Sequence, residues 1–279
     1  MTPELEVLLE ESHRRGHRSH QSDLLSAFYG GILALPEATP AAVIANLVIT
    51  VDGVATFDRD HASGAAAVSQ GSRADRLLMA MLRAAADVIL IGATTLRVTV
   101  GHRWTASAPV PELRAELDEA RRQLTGASEP PHLVVVSAGG DIPLHHPGLQ
   151  VPGARAMVIT TEQGSRRMGP PGKGIRVVVA GEGGAVPPAE IMAIIQREMS
   201  PRLLLTEGGP GLLGNLLSAG LVDELFLTLT PVIAGRTSAS VRPGLVDGFA
   251  FSAGEAPRLW LLSLRMARDG ALFFRYRLR

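Results

Sequence analysis

The chain has 279 residues, 46% of them apolar and 19% charged, with 27 basic and 27 acidic side chains and no cysteine. That length buries a sizeable core without demanding two domains, and the composition is that of a soluble globular protein. A formal charge of zero provides no basic field for nucleic acid or an anionic membrane, and the lack of cysteine excludes disulfides, thiol nucleophiles and zinc–thiolate sites.

The first twenty residues are charged and lack the apolar core of a signal peptide. No apolar run approaches the length of about 18 residues that a membrane span needs. A cytoplasmic location is therefore expected. Residues 4–11 read as a short helix, 13–20 as a polar connection and 23–28 as a second helix closed by Gly30-Gly31. Residues 1–40 are thus expected to form a helical N-terminal extension, followed by one main domain over 41–279. His13, His17 and His20 have a spacing that shares a helix face, but they sit among arginines without an acidic partner, so no metal site is expected.

From residue 42 onward apolar strands alternate with helices. Strands are expected at 43–51, 88–91, 133–136, 156–160, 175–180, 203–206 and 225–230, and helices at 72–86, 112–124, 189–198 and 212–219. Ser72 and Asp75 form a capping pair for the first of these helices, whose apolar face carries Leu78, Met81, Leu82 and Ala85. Residues 259–266 and 272–278 read as a hairpin turning at Asp269-Gly270. Short βα units with continuously apolar strands predict an α/β fold of three αβα layers, with a mostly parallel sheet and an antiparallel hairpin at its C-terminal end. In such sheets ligands bind beyond the carboxyl ends of the strands, which directs the search to the residues that follow each one.

Three such segments stand out. Thr206-Glu207-Gly208-Gly209-Pro210-Gly211-Leu212-Leu213-Gly214-Asn215 follows a buried strand and opens a helix. Glycine permits close backbone approach, and a helix N-terminus offers free N–H groups to a phosphate. The segment contains G-x-G-x-x-G, yet it comes late in the chain and no acid ends the next strand, so it is not an ordinary dinucleotide fingerprint. It is either a phosphate loop or a tight turn needed for packing. Ile91-Gly92-Ala93-Thr94-Thr95-Leu96 is either a cofactor-facing turn or a plain Thr-rich one. Val48-Ile49-Thr50-Val51-Asp52-Gly53 either sets Thr50 and Asp52 at the mouth of a site or simply turns, and Ser63 lies in a small-residue loop that could fold over a ligand.

Taken together these segments resemble a known family. Residues 43–53 are similar to its "ANxxxSxDG" opening, Leu82-Arg83 with residues 86–96 to its "LR…ADAVLVGAGTV" block, and residues 206–235 to its "EGGPTLxGxLLxAGLVDELxLxxxPxxxG" block. The family is the reductase domain of the bifunctional riboflavin-biosynthesis deaminase-reductase, with a dihydrofolate-reductase-like fold. The resemblance covers about residues 42–279. It implies an NADPH-dependent reductase of a phosphoribosylamino-pyrimidine, usually a homodimer. It also implies cofactor contacts at Val48, Gly92, Thr95, Ser137 and the loop Gly208, Gly209, Pro210, Gly211, Leu212, Leu213, Gly214 and Asn215. Substrate contacts would come from Thr50, Asp52, Ser63, Arg83 and Glu207.

The chain departs from this pattern in two ways. No deaminase motif is present, so only the reductase activity is implied. Where the family has "ADDPxLT", this chain reads Arg97-Val98-Thr99-Val100-Gly101-His102-Arg103-Trp104. Arg103 is then the candidate for a substrate-side positive charge, and the substrate extends to other rings, dihydrofolate among them. A nucleotide-binding module without catalysis and a reductase using a flavin-type cofactor are the alternatives. Trp104 either lines the pocket or covers the core. Residues 145–147 read as a surface loop, Arg166-Arg167 as a contact to a cofactor 2′-phosphate or a solvated pair, and Arg265, Arg268, Arg275, Arg277 and Arg279 as facing solvent or a partner. No catalytic acid is identifiable.

Overall fold

A computed structural model describes residues 4–11, 23–57, 64–181, 184–237 and 242–278. Seven parallel strands form its centre: β2 (Ala42–Thr50), β3 (Val88–Gly92), β4 (His132–Ser137), β5 (Ala156–Thr160), β6 (Ile175–Val179), β7 (Leu203–Thr206) and β8 (Glu224–Thr230). Several are buried along nearly their whole length, as in β2 and β5. Sequences apolar on both faces need helices on both sides, and the chain supplies them. Packed on one face are α1 (Asp23–Tyr29), α3 (Arg73–Ala85) and α5 (Arg114–Thr125). On the other lie α7 (Pro188–Met199) and α8 (Pro210–Ser218). Three shorter helices complete the set: α2 (Gly64–Ser69), α4 (Ala93–Val98) and α6 (Glu162–Met168). The hairpin β9 (Trp260–Ala267) and β10 (Leu272–Arg277) adds antiparallel to β8, turning where Gly270 takes a φ of +82°. The three-layer α/β expectation holds. So does the helix cap, for Ser72 Oγ accepts from the Asp75 N–H at 3.4 Å.

The sheet order is β1-β9-β10-β8-β2-β7-β3-β4-β5-β6. Its first member corrects one expectation: residues 4–11 do not form a helix. Leu5–Glu10 is a strand, β1, antiparallel to β9. The apolar spacing of this short segment fits either period, and long-range pairing decides. Leu5 enters the core, and Glu10 accepts from Arg265 Nη2 at 2.6 Å. The second helix of the N-terminal region, α1, forms as expected and brings Phe28 and Tyr29 into the same core.

Two arginines of the hairpin also differ from expectation. Arg265 and Arg275 are each only 1% exposed. Arg265 donates to Glu10 and the Tyr29 carbonyl and lies 3.4 Å from the Tyr29 ring centroid. Arg275 donates to Glu224 and the Ala34 carbonyl. Carboxylate, carbonyl and aromatic partners offset the loss of hydration that normally keeps arginine outside.

Close backbone approach fixes the far rim. Gly164 in α6 lies so near β5 that an added Cβ would stand 2.2 Å from Thr160 Oγ1 and 2.5 Å from the Ala138 carbonyl. Gly164→Ala is expected to cost about 1–3 kcal/mol of stability, because neither neighbour can retreat without breaking a strand end. A lower urea midpoint at unchanged slope would show it.

Strand lengths position the site. β7 pairs with β2 only along Ala42–Ala45, whereas β2 runs on to Thr50 against β8. On its other side β7 pairs with β3 through Leu90, and β3 continues to Gly92 against β4. Beyond Thr206 the sheet therefore opens a slot one strand wide between β2 and β3. The chain leaves β3 toward the α3/α5 face and β7 toward the α8 face, a topological switch point.

Candidate functional site

The strand ends around this slot carry most of the predicted residues. Thr50 and Asp52 lie at the end of β2, Gly92 and Thr95 at the end of β3, Ser137 at the end of β4, and Glu207 to Asn215 past β7. Val48 is buried one pleat inside the β2 end, in register with Thr228. Ser63 lies outside the described residues, as do His13, His17 and His20.

The glycine-rich segment divides by what each residue meets. At Gly208 an added Cβ would stand 2.5 Å from the Leu212 side chain, so glycine is needed there for packing. Gly214 likewise sits under the loop carrying Val246 and Asp247, with contacts of 2.9 and 3.1 Å. Leu213 points into the core and Asn215 is exposed. Gly209 and Gly211 are different. A Cβ at Gly209 would meet only Thr95 Oγ1, at 3.7 Å, and one at Gly211 would meet nothing within 4 Å. Gly209 has a φ of −66°, which any residue can adopt. The protein itself thus has no use for glycine at these two positions. Pro210 opens α8, whose first N–H groups have no side-chain cap. At the uncapped start of α8, Gly209 thus faces the Thr95 hydroxyl and Gly211 is exposed.

Arg83 and Glu207 lie on the sheet face covered by α3. Arg83 Nε donates to Glu207 Oε1 at 2.7 Å and Nη2 to Oε2 at 2.6 Å. Their side chains are 2% and 9% exposed, and Arg83 Nη1 reaches the Thr105 carbonyl at 3.4 Å. The arginine forms a buried two-pronged ion pair with the acid. Arg103, by contrast, is exposed and has no hydrogen bond or ion pair among the described residues.

Thr50 and Asp52 use their polar atoms within the protein. Thr50 Oγ1 donates to Asp52 Oδ1 and accepts from the Val54 N–H. Asp52 also accepts from the N–H groups of Ala234 and Gly235 at 3.1 and 2.7 Å, pinning the chain after β8. The Thr50 hydroxyl and these N–H groups hold the Asp52 carboxyl down at about 2. This tie is in place above the ordinary range near 3.8 and fades as pH falls toward 2. Ser137 is also committed, with Oγ accepting from the Gly140 N–H at 3.1 Å.

The RibD C-terminal domain model matches residues 41–272. The chain belongs to the RibD C-terminal domain family. Its structure is similar to form 2 of RibD from Acinetobacter baumannii, at 16% identity and a TM-score of 0.61, covering 86% of this chain and 59% of that one. It is similar to a pyrimidine reductase-like protein from Corynebacterium diphtheriae, at 22% identity and 0.60, covering 91% and 98%. The Saccharomyces cerevisiae riboflavin biosynthesis reductase Rib7 is similar at 14% and 0.58, over 88% and 93%. The dihydrofolate-reductase-like α/β fold is thereby shared. The chain spans less than two thirds of the length of the Acinetobacter RibD it matches. No protein of curated function matches it in sequence.

Within this RibD-type domain, three residues near the Arg83–Glu207 pair escaped the sequence reading. Asn46 lies on β2 one position past the pairing of Ala45 with Thr206, and its buried Oδ1 has no hydrogen-bond partner among the described residues. Asp75, read only as part of a cap, is 5% exposed. Burial pushes its carboxyl up to about 6; the neighbouring Thr228 hydroxyl opposes the rise, while Glu207 and Asp269 add to it. His102, whose imidazole burial and the charge of Arg83 push down to about 3, packs its ring edge-to-face on Trp104 at 4.9 Å. The altered segment builds a compact block. Trp104 is 3% exposed and belongs to the core, held by the close passage of Gly148. His146, expected on a surface loop, is buried and hydrogen-bonds the Thr99 carbonyl and the Gly148 N–H, both at 3.0 Å.

Asp75 gives a pH signature. Its native carboxyl holds a proton that the unfolded chain releases near 3.8, so native stability falls as pH rises from about 4 to about 6. Asp75→Asn lacks this loss. The stability of the wild type relative to Asp75→Asn is expected to drop by up to about 3 kcal/mol between pH 4 and pH 7. Urea midpoints of both proteins at the two pH values would check it.

Proposed function

We propose that the chain is an NADPH-dependent reductase of a pyrimidine-type small molecule, resembling 5-amino-6-(5-phosphoribosylamino)uracil reductase. The observation that carries this is the slot beyond β7, where Gly209 and Gly211 leave space at an uncapped helix start opposite Thr95. Family membership and the named activities of the RibD and Rib7 relatives support it.

In this reading the N–H groups at the start of α8 bind the cofactor phosphates, and Gly209 and Gly211 let the backbone come close. Thr95 and the strand ends at Val48, Gly92 and Ser137 line the rest of the cofactor side. When bound, NADPH supplies the hydride. Arg83 holds the Glu207 carboxylate in one orientation toward the substrate. Trp104 and its supports close the site from water. Asp75 is the buried group able to deliver a proton in the neutral range, with Thr228 against it. That last observation favours a second reading, a dihydropterin-type ring such as dihydrofolate, whose reduction needs a proton at a ring nitrogen.

Titration with NADPH and separately NADH, followed by nicotinamide fluorescence, tests the reading. NADPH-selective saturation is the expected result, and binding of neither cofactor would overturn it. We also infer a cytoplasmic homodimer. The stacked Phe274 and Tyr276 rings lie half-buried on a sheet face where Met266 is 36% exposed. Light scattering at twice the 29.4 kDa chain mass would support the dimer.

A further inference from the structure

Strand register sets the floor of the slot. β2 pairs with β7 from Ala42 to Ala45, and Asn46 is the first β2 residue past that pairing. Ile44 and Ala45 are wholly buried, whereas Asn46 keeps 9% of its surface, so the structure begins to open at this residue. On its other edge β2 continues against β8, where Asn46 pairs with Phe226. Ile44 and Phe226 belong to the core shared with Leu78, Met81 and Leu82 of α3. Side chains two apart on a strand share a face, so Asn46, two past Ile44, is on the α3 face. Glu207 follows Thr206, the partner of Ala45, by one position. Its bonds to Arg83 of α3 put its carboxylate on that same face.

The other polar groups of this face are committed or one-sided. Thr50 Oγ1 is bonded to Asp52 and the Val54 N–H. Arg83 directs its fork at Glu207 and its third nitrogen at the Thr105 carbonyl. Glu207 keeps free lone pairs, but an ionised carboxylate only accepts. Asn46 Oδ1 is buried and has no hydrogen-bond partner among the described residues. An amide oxygen left so is unfavourable, and a leucine of similar volume would avoid it. The fold alone therefore gives no reason for asparagine here. A ring bearing carbonyls, seated on this floor, needs a donor that Glu207 cannot supply and that Arg83 has already directed elsewhere. A primary amide carries both a donor and an acceptor.

We propose that Asn46 is a specificity-determining residue: its amide hydrogen-bonds the lactam edge, a ring N–H beside a C=O, of a uracil-type substrate seated on the floor of the slot. This inference rests on the reductase reading and names how its substrate ring is read. The two edges are complementary, ring N–H to Oδ1 and ring C=O to Nδ2, in the two-bonded manner by which asparagine reads base edges. Half a turn about the Cβ–Cγ bond exchanges the two ends of the amide with no change of shape, so the oxygen buried without a ligand can be presented to one. The Glu207 carboxylate, fixed by Arg83, accepts from a neighbouring N–H of the same substrate.

The test uses the full chain with NADPH and two probes: 5-amino-6-(5-phosphoribosylamino)uracil, and the same compound methylated at the ring nitrogen between its two carbonyls. Wild type is expected to show a KM at least tenfold higher for the methylated probe, because a site built to bond an N–H rejects a ring without it. Asn46→Leu is expected to raise the KM of the parent probe at least tenfold and to discriminate less than threefold between the two. Its NADPH Kd should stay within about twofold of wild type. Its unfolding midpoint should be at or above that of wild type, because an unpaired buried oxygen is gone. Asn46→Ala, which adds no bulk, should lose the discrimination in the same way, and it decides if Asn46→Leu fails to fold. Discrimination retained in the variants would overturn the proposal, since another group would then read the edge. So would wild type indifferent to the methyl group, or wild type that binds NADPH and takes neither probe. Failure to bind NADPH would instead overturn the reductase reading itself, so the two failures are distinguishable.

Discussion

Gly209→Val is expected to raise the NADPH dissociation constant at least tenfold, about 1.4 kcal/mol, while leaving the unfolding midpoint within a degree or two of wild type. Both halves of this expectation come from the same geometry. The backbone at Gly209, with φ −66° and ψ 177°, is open to a β-branched residue. The first added carbon would meet only Thr95 Oγ1, at an ordinary 3.7 Å. The folded chain has room for the first added carbon, so a loss of affinity at an unchanged unfolding midpoint would fall on what enters the slot. Gly208→Val is the internal contrast. There the added carbon collides with Leu212 at 2.5 Å, and stability itself should fall. Fluorescence titration paired with thermal denaturation separates the two. An unchanged affinity in a folded Gly209→Val protein would remove the start of α8 from the cofactor site.

The second large effect is expected at the buried ion pair. Arg83→Met leaves the Glu207 carboxylate 9% exposed and without its cation, and Glu207→Leu strands the guanidinium in the same way. Each single change is expected to cost about 3–5 kcal/mol. For a chain of this size that corresponds to a fall in Tm on the order of 10 °C. The double variant Arg83→Met/Glu207→Leu should be more stable than either single one, because two apolar side chains pack where an unpaired charge would otherwise be stranded. Additive losses in the cycle would mean that the side chains act independently and that Arg83 does not orient Glu207. The double variant should also bind NADPH normally but lose turnover, since the pair is assigned to the substrate side.

The parts legible in the sequence are those whose cause is local. Runs such as Val134-Val135-Val136 and Leu203-Leu204-Leu205 are apolar on both faces, and only a central parallel strand buries both. The hairpin was readable from Asp269-Gly270, and the helix start from Ser72 and Asp75. What escaped depends on distant partners. β1 has no local pattern that distinguishes it from a helix; its partner, β9, lies at the other end of the chain. Arg83 and Glu207 were each placed at the site, but their pairing joins residues 124 apart and leaves no trace in spacing. Arg265 and Arg275 look like surface cations until the carboxylates and carbonyls that meet them are known. The Thr50 and Asp52 segment was recognised, but its bonds to the chain at Ala234 and Gly235 were not foreseeable. His102 was visible only as part of an unusual stretch, because its packing on Trp104 depends on how that stretch folds.

The edge strand has a consequence for biosynthesis. Glu10 and its partner Arg265 are separated by 255 residues, and every contact of β1 with β9 is equally remote. A ribosome adding roughly 5–20 residues per second leaves β1 waiting for roughly ten seconds to a minute before its partner emerges. During that interval Val7, Leu8 and Leu9, exposed even in the finished protein, have no strand beside them. The parallel centre can assemble meanwhile, so docking of the N-terminal segment closes the molecule last. Nascent chains arrested before residue 260 should therefore already protect β2 to β8 from proteolysis while leaving the β1 segment open to cleavage.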